Sequence, residues 1–233
     1  QERLASLRHA MEKEGIDYYM IPTSDYHNSE YVNDYFKARE YFSGFTGSNG
    51  TLVVGREMAG LWTDGRYFIQ AEKELEGTGI TLFRMQEEGV PEIPDFLHEN
   101  MKNGQILGFD GRTVSCLEGR KLEEKLGISK DGARKSGITI RYDLDLAGRI
   151  WEGRPGMPSH PVWLLPEEIS GRSTLEKLKE VREKIAEAGA EYLLLSKLDD
   201  LMWLLNIRVN DIECNPVALS YGFITPREMC FFI

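Results

Sequence analysis

The sequence predicts an α/β fold with a mixed sheet, followed by the first part of a second, similar domain. Three observations carry that expectation. Over residues 1–150, short apolar runs alternate with amphipathic stretches of helical period. Two of the runs, 51–54 and 58–62, are separated only by Gly55-Arg56-Glu57, so they read as a hairpin and the sheet is not purely parallel. The start of the chain then recurs after a shift of 174: Leu4 meets Leu178, Arg8 meets Arg182, Gly15 meets Gly189 and Tyr18 meets Tyr192.

Each element has its own signal. Leu4, Leu7 and Met11 form a helical stripe that stops at Gly15, and 18–21 is an apolar strand. Residues 24–40 are polar and aromatic without a clean period, and read as a loop with at most a turn of helix. Gly44, Gly47 and Gly50 then recur every third residue before the hairpin. Asp64 reads as the N-cap of a helix whose buried stripe is Phe68, Ala71 and Leu75. A strand at 81–85, a helix at 94–101, a strand at 106–109, a helix at 115–126 and a strand at 138–142 complete a first domain over 1–152. Residues 153–172 open with three prolines and two glycines in nine residues, a linker composition. Ser173 or Thr174 caps the next helix, striped by Leu178, Val181, Ile185 and Ala188, and 192–195 is a strand. Arg56-Glu57-Met58 recurs as Arg227-Glu228-Met229 at a shift of 171. Residues 173–233 therefore read as an incomplete second domain, and the chain as a fragment.

Composition narrows the function. A formal charge of −10 disfavours nucleic acid and anionic membrane surfaces as partners, since both require a basic face. No apolar run approaches the roughly 20 residues of a membrane span, and the first residues show no signal-peptide pattern. Cys116, Cys214 and Cys230 are odd in number and widely spaced, and read as reduced core thiols of a cytoplasmic protein.

The chemistry-bearing patterns are few. The loop 44–50 lacks the Gly-Lys-Ser/Thr ending of a phosphate loop and precedes a strand, so no helix dipole backs an anion there. Its glycines read as permission for unusual backbone and close approach, flanked by Phe42 and Phe45, which read as partly core with an exposed aromatic contact as the alternative. His9, His27, His98 and His160 form no metal-ligand spacing. His9 and His98 fall on solvated helix faces; His27, beside Asp25 and Glu30, is the one placed to act. The residues alone reveal no catalytic constellation.

Several stretches in order nevertheless resemble a known family. Asp25-x-His27-x-Ser29-Glu30-Tyr31 is similar to its D-x-H-x-S-E-Y. Residues 42–51, from Phe42-Ser43-Gly44-Phe45 through Ser48-Asn49-Gly50-Thr51, resemble F-x-S-G-F-x-G-S-x-G-T, one residue shorter at the start. Trp62-Thr63-Asp64-Gly65-Arg66-Tyr67-Phe68 matches W-T-D-G-R-Y-F. Leu198-Asp199-Asp200, Trp203, Asn206, Arg208, Asp211, Asn215-Pro216-Val217 and Ser220-Tyr221 follow a further signature, with Val209 where the family has glycine. A β-branched residue tolerates positive φ poorly, so a differently shaped loop is expected there.

The family is that of the cytosolic, three-domain Xaa-Pro aminopeptidases. The resemblance implies two creatinase/prolidase N-terminal domains with a ribonuclease H-like motif, and an absent C-terminal catalytic domain. That domain would hold two divalent metal ions, usually manganese, so this chain would bind none and carry no catalytic residue. It further implies peptide substrates with proline at the second position, a homodimer, and a role in subunit contact and substrate access. The candidates for access or interface are His27, Glu30, Phe42, Phe45, Asn49, Arg66, Asn206, Arg208 and Tyr221. Two alternatives stand beside this: a non-catalytic creatinase-like interaction module, and a region of a prolidase-type dipeptidase.

Overall fold

The structure is a computed structural model that describes residues 1–128 and 137–233. It divides into two compact units, Gln1–Pro155 and Gly156–Ile233. The first begins with α1 (Glu2–Glu14) and β1 (Tyr18–Pro22). A 3-10 turn (Asp34–Phe36) and α2 (Ala38–Ser43) lead to β2 (Thr51–Gly55) and β3 (Ala59–Thr63). Next come α3 (Phe68–Glu74), β4 (Thr81–Arg84), α4 (Ile93–Asn100) and β5 (Ile106–Gly108). The unit ends with α5 (Cys116–Lys125), β6 (Thr139–Arg141) and α6 (Leu146–Ile150).

The strands form one sheet in the order β4-β3-β2-β1-β5-β6. β2 runs against both neighbours, and the other pairings are parallel. The sheet is mixed because the short 51–63 hairpin forces two reversals, while the βα connections give parallel neighbours. Alternation along the strands sends side chains to two cores. Tyr19, Ile21, Leu52, Val54 and Leu61 pack under α1, α2, α3 and α6. Met20, Val53, Trp62 and Leu107 pack under α4 and α5. Trp62 stacks on Phe83, ring centres 3.9 Å apart, and its indole N–H donates to Pro91 O at 2.9 Å. Tyr19 buries its hydroxyl between Leu144 O (2.7 Å) and Leu146 N (3.0 Å), pinning the start of α6 to β1.

The second unit contains β7 (Trp163–Leu164), α7 (Glu167–Ser170), α8 (Thr174–Glu187) and β8 (Leu193–Leu195). It continues with α9 (Leu198–Leu205), β9 (Ile207–Arg208), β10 (Tyr221–Ile224) and β11 (Met229–Phe232). Ser173 and Glu176 close a capping box that starts α8. The strands make an antiparallel sheet β11-β10-β8 and a small pair β7-β9. Thus part of the 153–172 segment is structured: it contributes β7 and α7 to this unit.

The internal repeat is visible as geometry. Gly15 and Gly189 end their helices with φ of 68° and 70°, in left-handed backbone that glycine adopts freely. Ile16 N donates to Met11 O and Ala190 N to Ile185 O, the same bond at a shift of 174. The strand–hairpin order β1-β2-β3 is matched by β8-β10-β11. The hairpin, however, is offset by 170. Val54 faces Ala59 in one turn and Ile224 faces Met229 in the other, with Gly55 N bonding Met58 O as Thr225 N bonds Glu228 O. The Arg-Glu-Met echo is therefore one residue out of structural register, and the match of letters there is coincidental.

A second expectation also fails. The helix after β3 starts at Phe68, and its N-cap is Tyr67 without a side-chain cap bond. Asp64 does not cap it, because its carboxylate is taken by other partners.

Candidate functional site at the carboxyl edge of the first sheet

Because β1, β3, β4, β5 and β6 run in one direction, their carboxyl ends share an edge with the amino end of β2. In open α/β sheets this edge is where ligands and partners are met. Here it gathers the segments 23–36, 44–50, 64–67, 109–113 and 142–145.

The glycine loop is built on a residue that sequence reasoning missed, Arg39 of α2. Its side chain is inside the unit, the residue only 4% exposed. It donates to Phe45 O and Gly47 O, and through Nε to Thr23 Oγ1 at 2.9 Å. The guanidinium carbon lies 4.8 Å from the Phe45 ring centre. Burial pulls the Arg39 pKa below the ordinary arginine value. The loop's outer donors are also engaged: Thr46 N and Oγ1 bond Glu74 at 2.8 and 2.7 Å. A carboxylate thus stands where a phosphate cradle would place its anion. Gly47 is needed for close approach, since a Cβ would lie 2.2 Å from Phe45 Cζ and 2.8 Å from Tyr67. Phe42 and Phe45 are 4% and 0% exposed. They are core residues, as the core reading has it, and with no surface to offer a substrate or a partner they leave the set of access and interface candidates.

Next to this loop, Asp64 accepts Arg66 Nε and Nη2, both at 2.9 Å, and Arg66 N at 3.0 Å. Asn49 Nδ2 donates to the same carboxylate at 2.7 Å, and Thr63 Oγ1 holds Asn49 O at 2.6 Å. The Arg66 hydrogen bonds, and then that of Asn49, hold the Asp64 carboxyl well below the usual carboxylate range against some desolvation. Arg66 is correspondingly raised by Asp64, with Glu30 adding attraction. Asn49 and Arg66 are therefore brought together on Asp64, both at exposed positions, and exposed Glu30 acts on Arg66 as a nearby charge. His27 lies on the neighbouring turn. Asp25, 1% exposed, shapes that turn by accepting His27 N at 2.8 Å and Ser29 N at 2.9 Å through Oδ1.

The Asp64-Gly65-Arg66 turn has a twin. Arg112 Nε and Nη2 fork onto Asp110 at 2.9 and 2.8 Å, Arg112 N bonds Asp110 Oδ1 at 3.1 Å, and Thr113 N bonds Asp110 O at 3.0 Å. Tyr67 N makes the matching bond to Asp64 O at 3.0 Å. The signal was present in the sequence as Asp-Gly-Arg occurring twice, each time after an apolar run.

The remaining candidates lie in the second unit. Asn206 ends α9 in left-handed backbone, φ 52°, donating to Arg172 O at 2.7 Å and accepting Lys177 Nζ at 2.6 Å. Arg208 donates to Met202 O and Ile207 O at 3.0 and 2.8 Å. Both complete the end of α9. Tyr221 opens β10 at an exposed position. Val209 has negative φ and is fully buried, so glycine's freedom is not required there. Cys116 and Cys214 are exposed and Cys230 is half-buried, which corrects the reading of core thiols.

Among the described residues no three of His, Cys, Asp and Glu come together in a group that could hold a metal ion. A metal centre therefore does not fit these residues, and no catalytic step is assigned to them. Nor is any helix among the described residues long and apolar enough to cross a membrane.

Comparison with known proteins agrees with this architecture. A family model described as creatinase/prolidase N-terminal domain matches residues 3–134, and a second model of the same description matches residues 153–233. Proteins from Coprinopsis cinerea and Talaromyces marneffei, each named probable Xaa-Pro aminopeptidase P, are 36% and 38% identical over all of this chain. The chain spans 36% and 34% of their lengths, about a third. The crystal structure of X-prolyl aminopeptidase from Caenorhabditis elegans, described as a cytosolic enzyme with a di-nuclear active site, superposes with a TM-score of 0.88 at 34% identity. That match covers 100% of this chain and 38% of the other. With a mixed six-stranded sheet, two helical layers and a family model spanning more than half its length, the chain belongs to the creatinase/prolidase N-terminal domain family.

Proposed function

We propose that this chain is the non-catalytic N-terminal region of a metal-dependent aminopeptidase that releases the residue preceding proline. The observation that carries the reading is the carboxyl edge of the first sheet, where Asn49, Asp64 and Arg66 lock together beside Glu30 and the His27 turn. The forked Arg66–Asp64 pair is a preorganised polar wall, and a guanidinium suits peptide carbonyls and carboxylates. The likeness to aminopeptidases along the whole chain supports the same reading. The two divalent metal ions, manganese in this reading, belong to residues outside this chain. The chain's part is geometric: its edge lines the entrance for peptides with proline in second position, and its units support a cytoplasmic homodimer.

The test is kinetic. With manganese, the whole polypeptide should release the first residue from Xaa-Pro peptides, and the 233-residue chain alone should not. Glu30→Gln, Arg66→Gln and His27→Ala should raise KM for short peptides. Turnover by the isolated chain, or an unchanged KM in all three variants, would overturn the proposal.

A further inference from the structure

The strap 24–36 carries His27 and Glu30 over the carboxyl edge but forms no strand, only one 3-10 turn at its end. Ladder hydrogen bonds therefore do not hold it, and other contacts must. Two tyrosines supply them, Tyr26 near one end and Tyr35 near the other. The Arg112 guanidinium carbon sits 4.8 Å from the Tyr26 ring centre, and that of Arg154 3.7 Å from the Tyr35 ring centre. Arg154 Nε also donates to Tyr35 O at 2.9 Å. Both tyrosines stand edge-on to buried Phe36, at 4.9 Å.

The two arginines meet on one acid. Asp145 Oδ2 lies 3.3 Å from Arg112 Nη2 and 3.0 Å from Arg154 Nη1. Its other oxygen accepts Gly148 N at 2.7 Å, capping α6. The contacts close a ring: Tyr26, Arg112, Asp145, Arg154, Tyr35, Phe36 and back to Tyr26. Each arginine has a second support, Arg112 on Asp110 and Arg154 on Tyr35 O. Asp145 is the group that both share.

We propose that Asp145 is a positioning residue: through Arg112 and Arg154 it latches the 24–36 strap, and so sets His27 and Glu30 at the carboxyl edge. The inference rests on the proposed function for its consequence in catalysis, though not for the latch itself. Asparagine caps helices as well as aspartate does, so Asp145→Asn keeps the start of α6 while removing the charge that draws the arginines together. It is therefore a variant that tests the latch without removing the cap.

Amide hydrogen exchange on the whole polypeptide reads the latch directly. Asp145→Asn should speed exchange across 24–36 about tenfold, the ~1.4 kcal/mol loss that a tenfold change represents, with α1 and β1 to β3 unchanged. Arg112→Gln alone should give a smaller rise, and adding it to Asp145→Asn should add little. Unchanged exchange in 24–36, or an equal rise across the whole first unit, would overturn the latch. Kinetics read the positioning role: Asp145→Asn should raise KM for Xaa-Pro peptides several-fold while kcat stays close to wild type. A loosened strap with unchanged KM would overturn that role. If the wild-type polypeptide releases no residue ahead of proline, the proposed function fails, and exchange still decides the latch.

Discussion

Replacing Arg39 by methionine should unfold the glycine loop before it disturbs anything else. In the wild type the guanidinium is the donor for Phe45 O and Gly47 O, and it also bonds the Thr23 hydroxyl. Methionine fills much of the volume and keeps contact with Phe45, but it donates nothing. Two buried carbonyls then lose their partner, at about 1–3 kcal/mol each. Removing a buried cation relieves desolvation and returns part of this, so the net loss should be about 3 kcal/mol. For a unit of this size each kcal/mol lowers Tm by about 2–4 °C, so the fall should be roughly 6–12 °C. Thermal unfolding followed by near-ultraviolet circular dichroism measures it, because Trp62 and Trp151 report from the first unit. Arg39→Lys keeps the charge but not the fork, and should fall between the two. A methionine variant as stable as wild type would refute the idea that the loop is built on this cation.

Four further outcomes follow from the geometry of the two units. Gly47→Ala should destabilise by about 1–3 kcal/mol through overpacking against Phe45. Gly119→Ala, in the middle of α5 with nothing within 4 Å of the new carbon, should stabilise by up to about 1 kcal/mol; urea unfolding of both checks the sign difference. Asp64→Asn should lower stability at neutral pH. The Asp64 pKa is depressed in the fold, so its contribution is present above the ordinary value of 3.8 and is lost as pH falls below it. The deficit of the variant should therefore shrink between pH 5 and pH 2, and a deficit independent of pH would contradict the assignment. Lys177, 2% exposed, donates to Trp203 O at 2.8 Å and Asn206 Oδ1 at 2.6 Å. Lys177→Met should cost the second unit about 1–3 kcal/mol, read by urea unfolding with Trp203 fluorescence.

What was legible in the sequence was whatever is encoded locally. The stripe Leu4, Leu7, Met11 and the stop at Gly15 gave α1, and the same signals gave α8, because amphipathic period and a left-handed glycine need no tertiary context. The hairpin 51–63 was legible from two apolar runs around a polar turn. The helices α2, α6 and α9 were not: α2 and α6 have only six and five residues, too few turns for a period to show, and α9 runs through the unbroken apolar stretch Leu201-Met202-Trp203-Leu204-Leu205, which has no polar contrast. Asp64 reads as a cap because the cap rule sees only the acid; it does not see Arg66 two residues on competing for the carboxylate. Arg39 shows no such signal, because an arginine in a polar stretch reads as solvated and only the fold shows the carbonyls that turn inward onto it. Asn49, Arg66 and Glu30 were named from the sequence, but that they meet at one edge depends on strand direction, which is non-local.

The two shifts of the internal repeat, 174 for helix and first strand and 170 for the hairpin, mean that the connector between them is four residues shorter in the second unit. All of the length difference sits in that connector. In the first unit it holds the strap and the glycine loop; in the second it holds α9 and β9. A one-residue slip inside a strand would turn every side chain to the wrong face, whereas a change of connector length leaves pairing intact and alters closure entropy only slightly. The scaffold thus separates what must be kept from what can be rewritten. Grafting the strap of the first unit into the connector of the second is an engineering change that the sheet register should tolerate only if α9 and β9 stay, because Leu198, Leu201, Met202 and Ile207 there form the core of that unit.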